Sequence, residues 1–250
     1  MFKPRIIPVL LLKDKYLVKS KCFKDFRYIG DPINAMRIFN DLKADELVFL
    51  DIVASKENRL ISLDFVREVG EEANMPFSVG GGIRTIKDIK EIINAGAERV
   101  IIGSYAVGNP DFIREAADCF GSSTVAVCVD VKKKMFGKEQ VWTFNGTKAS
   151  GIDPVLFAQM MEKYGAGEII IQSIERDGCM DGYDIELIKR VSNAVTIPVV
   201  ALGGAGNLDD LKQAFHKGNA SGVAAGSLFV YHGSNHGVLI NYPEKSELHF

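Results

Sequence analysis

The sequence predicts an α/β fold in which eight strand–helix units close into one barrel made of two duplicated half-barrels, about 1–121 and 122–250. Three observations lead there. Short apolar runs alternate with helix-period segments along all 250 residues, and the runs carry Val and Ile at consecutive positions, as strands covered on both faces require. The chain also repeats itself. MPFSVGGGIR from Met75 returns as IPVVALGGAG from Ile197, 122 residues later; DELVFLDI from Asp45 returns as GEIIIQSI from Gly167 at the same offset; AERVIIGSYAV from Ala97 returns as ASGVAAGSLFV from Ala220, offset 123. A period this long lies far beyond the roughly 20 to 50 residues of solenoid units. Finally, no Pro-rich, Ser-rich or charge-run linker separates the halves, and the length suffices for one closed barrel with a full core.

Each element has its own signal. The first strand, 5–12, is the run RIIPVLLL, too short to cross a bilayer and followed by no small-residue cleavage site. A long loop, 14–30, leads to a helix at 32–43, opened by Asp31-Pro32, a capping side chain before a proline that fits the first turn. Strands near 46–52, 76–80 and 98–102 alternate with helices near 62–74, 85–95 and 110–119, with Thr85 as one cap and Asn109-Pro110 as another start. The fifth strand, 124–130, ends on Asp130. After it, KKKMFGKEQVWTFNG alternates apolar and polar positions around Phe136-Gly137-Lys138, predicting a small hairpin inserted at 131–147. Asp153-Pro154, Asp184 and Asn207 open helices at 153–164, 184–194 and 207–216, between strands at 168–172, 198–202 and 221–225; a last helix is placed near 234–240. Eight such units with right-handed crossovers make a TIM barrel.

Composition narrows the function. A net charge of −2 with both signs mixed leaves no electrostatic footprint for nucleic acid or an anionic membrane. Cys22, Cys119, Cys128 and Cys179 form no CxxC pair, which predicts free thiols in a reducing cytoplasm. His216, His232, His236 and His249 lie near the C-terminus, away from the motifs. Neither a metal nor a cofactor is expected.

In such a barrel the chemistry lies at the carboxyl ends of the strands. In order these ends carry Leu11, Asp51, Gly80-Gly81-Gly82, Gly103-Ser104, Asp130, Ser173 with Asp177-Gly178, Gly203-Gly204 and Gly226-Ser227. Bare backbone lets N–H groups approach an anion, so the repeat predicts two phosphate sites on opposite sides of the mouth; the alternative is that these glycines only permit tight turns. Asp130, between the two, is the candidate general acid or base, or else a structural acceptor for loop N–H groups. Asp51 and a lid-forming Lys19 are possible supports. At the opposite face Arg5, Glu46, Arg99 and Glu168 stand at strand starts with alternating sign, either a salt-bridged plug or a gate.

Taken together, RIIPVLLLKD, GDPINA, DELVFLDI, VGGGIRT, SIERDGCMDGYD, IPVVALGGAGN and AAGSLF resemble the cyclase subunit of imidazole glycerol phosphate synthase, over the chain to about residue 240. The resemblance implies a bisphosphorylated ligand, and ammonia received through the barrel from a glutaminase docked on the bottom face. It implies that Arg5, Glu46, Arg99 and Glu168 are the ammonia gate, with Arg99 in place of the usual lysine. Gly82 and Ser104 would serve one phosphate site, and Asp177, Gly204 and Ser227 the other. The family's cyclase uses two aspartates, ending strands one and five; here Asp130 stands and Leu11 takes the place of the other. That departure, with GDPINA, HGVLINYP and LLLKD, resembles a paralogue of surface-polysaccharide pathways. There a glutaminase, this barrel and an ATP-dependent sugar amidotransferase convert an acetamido sugar to an acetamidino sugar. The other readings are a working cyclase of histidine biosynthesis and a non-catalytic channel or scaffold. No G-x-C-x-G elbow is present, so release of ammonia from glutamine falls to the partner.

Overall fold

The computed structural model describes residues 3–133, 137–233, 235–244 and 246–247. Its central sheet closes on itself. The eight barrel strands are β1 (Arg5–Lys13), β4 (Leu47–Asp51), β5 (Phe77–Gly80), β6 (Arg99–Ile102), β7 (Val125–Lys133), β10 (Glu168–Ser173), β11 (Val199–Leu202) and β12 (Gly222–Ala225). Each pairs in parallel with the next, β12 returns to β1, and β7 pairs with β10 from Ala126↔Glu168 to Val131↔Ser173. Every strand falls within a residue or two of its expected place, except that β7 runs on to Lys133.

Around the barrel lie α1 (Pro32–Asp41), α2 (Leu63–Glu72), α3 (Ile86–Asn94), α5 (Asp111–Phe120), α6 (Pro154–Lys163), α7 (Ile185–Ser192) and α8 (Leu208–His216). Asp31, Thr85, Asp153, Asp184 and Asn207 cap their helices through the side chain. Thr85 with Asp88 and Asn207 with Asp210 form reciprocal capping boxes, so the 122-residue repeat reaches individual hydrogen bonds. Asn109 does not cap: α5 starts one residue later, from Pro110, and the Asn109 amide donates instead to the Tyr105 hydroxyl at 3.2 Å. No helix among the described residues is long and apolar enough to cross a membrane.

Three segments depart from expectation. The loop at 14–30 is a hairpin, β2 (Tyr16–Lys21) and β3 (Lys24–Gly30), with β2 pairing antiparallel to the end of β1. The helix expected near 234–240 is not one: β13 (Tyr231–His232) pairs with β14 (Gly237–Val238) across a turn that includes Gly233 and His236, both at positive φ. Residue 234 and His249 lie outside the described residues. Two short helices, α4 (Ser104–Gly108) and α9 (Ser227–Val230), follow the fourth and eighth barrel strands. The insertion after β7 is the expected hairpin, with β8 (Glu139–Thr143) pairing back on β7 and a short β9 (Lys148–Ala149) on β8; Phe136 at its expected apex lies outside the described residues.

Side-chain alternation divides the core in two. One face of each strand packs under the helices around Phe39, Phe49, Phe157 and Phe229. The other fills the bore with Ile7, Val9, Leu11, Val48, Ile101, Ala126, Ile170, Val200, Leu202 and Ala224. Leu11, Cys128 and Asp130 share that inward parity at the top of their strands.

Candidate functional site

The bottom of the bore is closed by a complete ring of charge. Arg5 spans both carboxylates, with Nη1 2.6 Å from Glu46 Oε2 and Nη2 paired to Glu168 Oε2. Arg99 Nη1 spans them from the other side, 3.3 Å from Glu46 Oε1 and 3.1 Å from Glu168 Oε1. Arg99 Nε donates to the Ser123 carbonyl at 3.0 Å, and the Ser78 hydroxyl donates to Glu46 at 2.9 Å. Glu46 and Glu168 are buried and stand 122 residues apart, equivalent positions of the two halves. Burial raises the Glu168 pKa, against the pull of Arg5 and Arg99. Directly above the ring lies a cavity of about 10 Å³, walled by Ile7, Val9, Val48, Ile101, Ile170 and Val200, room for about one water-sized molecule.

The mouth above is a cavity of about 690 Å³ that shares Leu50 and Ile101 with the one below. Asp130 and Leu11 both line it. The Asp130 carboxyl is pushed up to about 7, chiefly by burial and further by Asp177, while the Cys128 thiol, donating from 3.5 Å, opposes the shift. Burial and the neighbouring Asp130 together hold the Cys128 thiol well above its ordinary value. Asp130 is therefore poised to give or take a proton near neutrality. Asp51 reaches the cavity wall, yet its oxygens are committed. Oδ1 accepts from the Val53 and Ala54 N–H groups at 3.1 and 3.0 Å, and Oδ2 pairs with Arg59 Nη1 at 2.5 Å.

The first glycine cluster lines this cavity. Gly81, Gly82, Gly103 and Ser104 stand on one wall with Arg84, Asn145 and Lys148. The Ser104 hydroxyl oxygen accepts from the Phe144 N–H at 2.8 Å, so the inserted hairpin forms part of the mouth, and the Arg190–Glu139 ion pair pins that hairpin to α7. Arg84 and Lys148 were missed from sequence: Arg84 sat unassigned within VGGGIR, and Lys148 carries no local signal. No ion pair engages the Lys148 ammonium among the described residues.

The second cluster is covered. Gly178 lies against the Ser20 carbonyl and Gly226 against the ammonium of Lys19, in each case so closely that a Cβ would overlap. Asp177 accepts from the Ser20 hydroxyl at 2.7 Å and from Gln172 Nε2 at 3.4 Å, and its carboxyl is raised by burial. Asp177, Gly178 and Gly226 thus lie against the first hairpin, whereas Gly203 and Gly204 lie against Ser173 and Gly182; neither these nor Ser227 line the open cavity. Lys19 is no exposed lid residue: it is buried, donates to the Val9 carbonyl at 2.6 Å, and is driven down to about 8 by burial, against the pull of Asp177. Gly82 and Gly204, 122 residues apart, have φ of +70° and +119°, and a side chain would strike the Arg59 and Gly182 carbonyls. Both are required by the backbone, whatever else they bind.

The model of the histidine biosynthesis protein family matches residues 5–235. A Leptospira interrogans protein provisionally named imidazole glycerol phosphate synthase subunit HisF is 44% identical over 248 residues, 99% of this chain and 98% of the relative. A Pseudomonas aeruginosa protein provisionally named imidazole glycerol phosphate synthase subunit hisF2 is also 44% identical over 248 residues, 99% of both chains. The imidazole glycerol phosphate synthase subunit HisF of Alkaliphilus metalliredigens is 46% identical over 231 residues, 92% of each.

Proposed function

The chain belongs to the cyclase-subunit family of imidazole glycerol phosphate synthase, and from that premise we propose that it accepts ammonia from a glutaminase docked on its bottom face. The observation that carries this reading is the closed ring of Arg5, Glu46, Arg99 and Glu168 directly beneath an apolar, water-sized cavity. A neutral molecule of that size passes apolar walls that exclude ions. At the far end it meets Asp130, whose carboxyl exchanges a proton near pH 7. The ligand is a phosphorylated small molecule. Gly81, Gly82, Gly103 and Ser104 hold one end, aided by Arg84 and Lys148; Asp177, Gly178, Gly203, Gly204, Gly226 and Ser227 hold a second phosphate only when the first hairpin, with Lys19, moves off them. Comparing turnover on glutamine plus a glutaminase with turnover on added ammonium tests the gate. Arg99→Ala should uncouple glutamine hydrolysis from transfer while sparing the ammonium-dependent reaction, and unchanged coupling would sink the gate reading.

Two finer readings divide at Leu11. The relatives' names favour ring closure in histidine biosynthesis. Leu11 favours the other: a leucine transfers no proton, and the strand-end carboxylate of Asp51 is already paired with Arg59. On that reading the barrel performs little ring closure and delivers ammonia to an ATP-dependent amidotransferase forming an acetamidino sugar for bacterial surface polysaccharide. Complementation of a histidine-requiring strain separates them: growth supports the histidine pathway, and failure supports ammonia delivery.

A further inference from the structure

We propose that Cys22 and Cys179 form a reversible disulfide, a modification site that staples the first hairpin over the barrel mouth. The two sulfurs lie 3.8 Å apart although 157 residues separate them in sequence. Cys22 sits in the turn between β2 and β3, and Cys179 in the loop after β10. The backbone already joins these segments: the Cys22 N–H donates to the Asp177 carbonyl at 2.8 Å, and the Ser20 hydroxyl to the Asp177 carboxylate at 2.7 Å. Both thiols are partly exposed, so a small oxidant reaches them. Cys119 is exposed on α5 and Cys128 faces the bore, and neither shares this contact.

The hairpin is the element whose freedom such a bond would remove. Its outer strand, β3, pairs among the described residues only with β2 and is largely exposed, which marks it for local opening. It carries Lys19 and Ser20 across Gly226, Asp177 and Gly178, so a bond from Cys22 to Cys179 fixes the cover over that half of the mouth.

The chemistry is thiol–disulfide exchange with a low-molecular-weight disulfide such as oxidised glutathione. Burial and the adjacent Cys22 push the Cys179 thiol up to about 11, which keeps it protonated near neutrality. The Cys22 thiolate attacks one sulfur of the oxidant and releases one thiol. Cys179, giving up its proton, then attacks the Cys22 sulfur of the mixed disulfide and releases the second. The protein loses two electrons and two protons, and the oxidant becomes two thiols. In a reducing compartment the pair stays open, and cross-linking reports oxidation.

The test uses the full chain in glutathione buffers of graded redox poise, with thiol titration, peptide mapping and amide hydrogen exchange. Under oxidising buffer two of the four thiols should be lost to a peptide joining Cys22 to Cys179. Exchange across 16–30 should slow by about tenfold, with full reversal by dithiothreitol. Cys22→Ser and Cys179→Ser, both near-isosteric, should each leave that exchange insensitive to oxidant. Four thiols persisting in millimolar oxidant would overturn the proposal, as would a cross-link through Cys119 or Cys128, or a correct cross-link that leaves exchange unchanged.

Discussion

Replacing Asp130 by asparagine isolates what the fold sacrifices to hold this carboxyl group in the mouth. The folded protein keeps it protonated to about pH 7, against an ordinary value of 3.8. Between about pH 4 and pH 7 the unfolded chain has released a proton that the folded protein retains, so stability falls as pH rises through that window and is level above it. Raising the carboxyl from 3.8 to about 7 corresponds to about 4 kcal/mol, at 1.36 kcal/mol for each tenfold change in acidity. Asp130 is only partly buried and opens on the cavity; water screening there reduces the expected value to about 2 kcal/mol. The asparagine variant has no proton to lose at this position and escapes the penalty. Urea unfolding of both proteins at pH 4.5 and pH 8 measures the effect: the advantage of Asp130→Asn should widen by about 2 kcal/mol from the lower pH to the higher. A gap that stays constant or narrows would refute the reasoning, because Asp130 would then ionise like an ordinary aspartate.

Lys19→Met acts with the opposite sign. Below pH 8 the ammonium is charged in both states and the fold bears its desolvation; between about 8 and 10.5 only the unfolded chain stays protonated, so the unmodified protein gains stability with rising pH. Lys19→Met should therefore gain roughly 2 kcal/mol at pH 7, net of the lost hydrogen bond to Val9, and surrender it by pH 10.5; thermal melts across that range would expose a pH-independent difference as contrary. Glu168→Gln leaves Arg5 and Arg99 to share Glu46. It should cost roughly 2 kcal/mol by urea unfolding, less than a fully buried pair because both arginines reach solvent; an unchanged midpoint would deny the ring any structural role. Lys148→Ala should weaken binding of a bisphosphorylated ligand by about tenfold in calorimetry while moving stability by less than about 0.5 kcal/mol.

The barrel was legible because strands buried on both faces read as unbroken Val and Ile runs, and because the repeat matched three strands of one half to three of the other. The positions of strand ends and strand starts placed Leu11 and Asp130 in the mouth and the charged ring beneath it. The first hairpin was not legible. Its turn uses Cys22 and Phe23 at φ of +52° and +61°, a left-handed pair that sequence announces only when Asn or Gly occupies it. With the hairpin hidden, Lys19 read as a lid-forming loop residue, although tertiary packing buries it against Val9 and Gly226. The short helices α4 and α9 hold too few residues to show a period. At the C-terminal end, β13 and β14 pair across a turn that includes Gly233 where the last helix was expected.

Ammonia-dependent turnover of the open-chain imidazole glycerol phosphate precursor, measured for the unmodified protein beside Leu11→Asp, tests most directly the claim that this barrel keeps its binding and ammonia-handling parts without a full acid–base pair. Loss of one partner forfeits roughly 10² to 10⁴ in rate. The unmodified protein should therefore turn over at that deficit, and Leu11→Asp should recover a large part of it. Full turnover with Leu11 in place would contradict the account and assign the chain to ring closure by another proton donor.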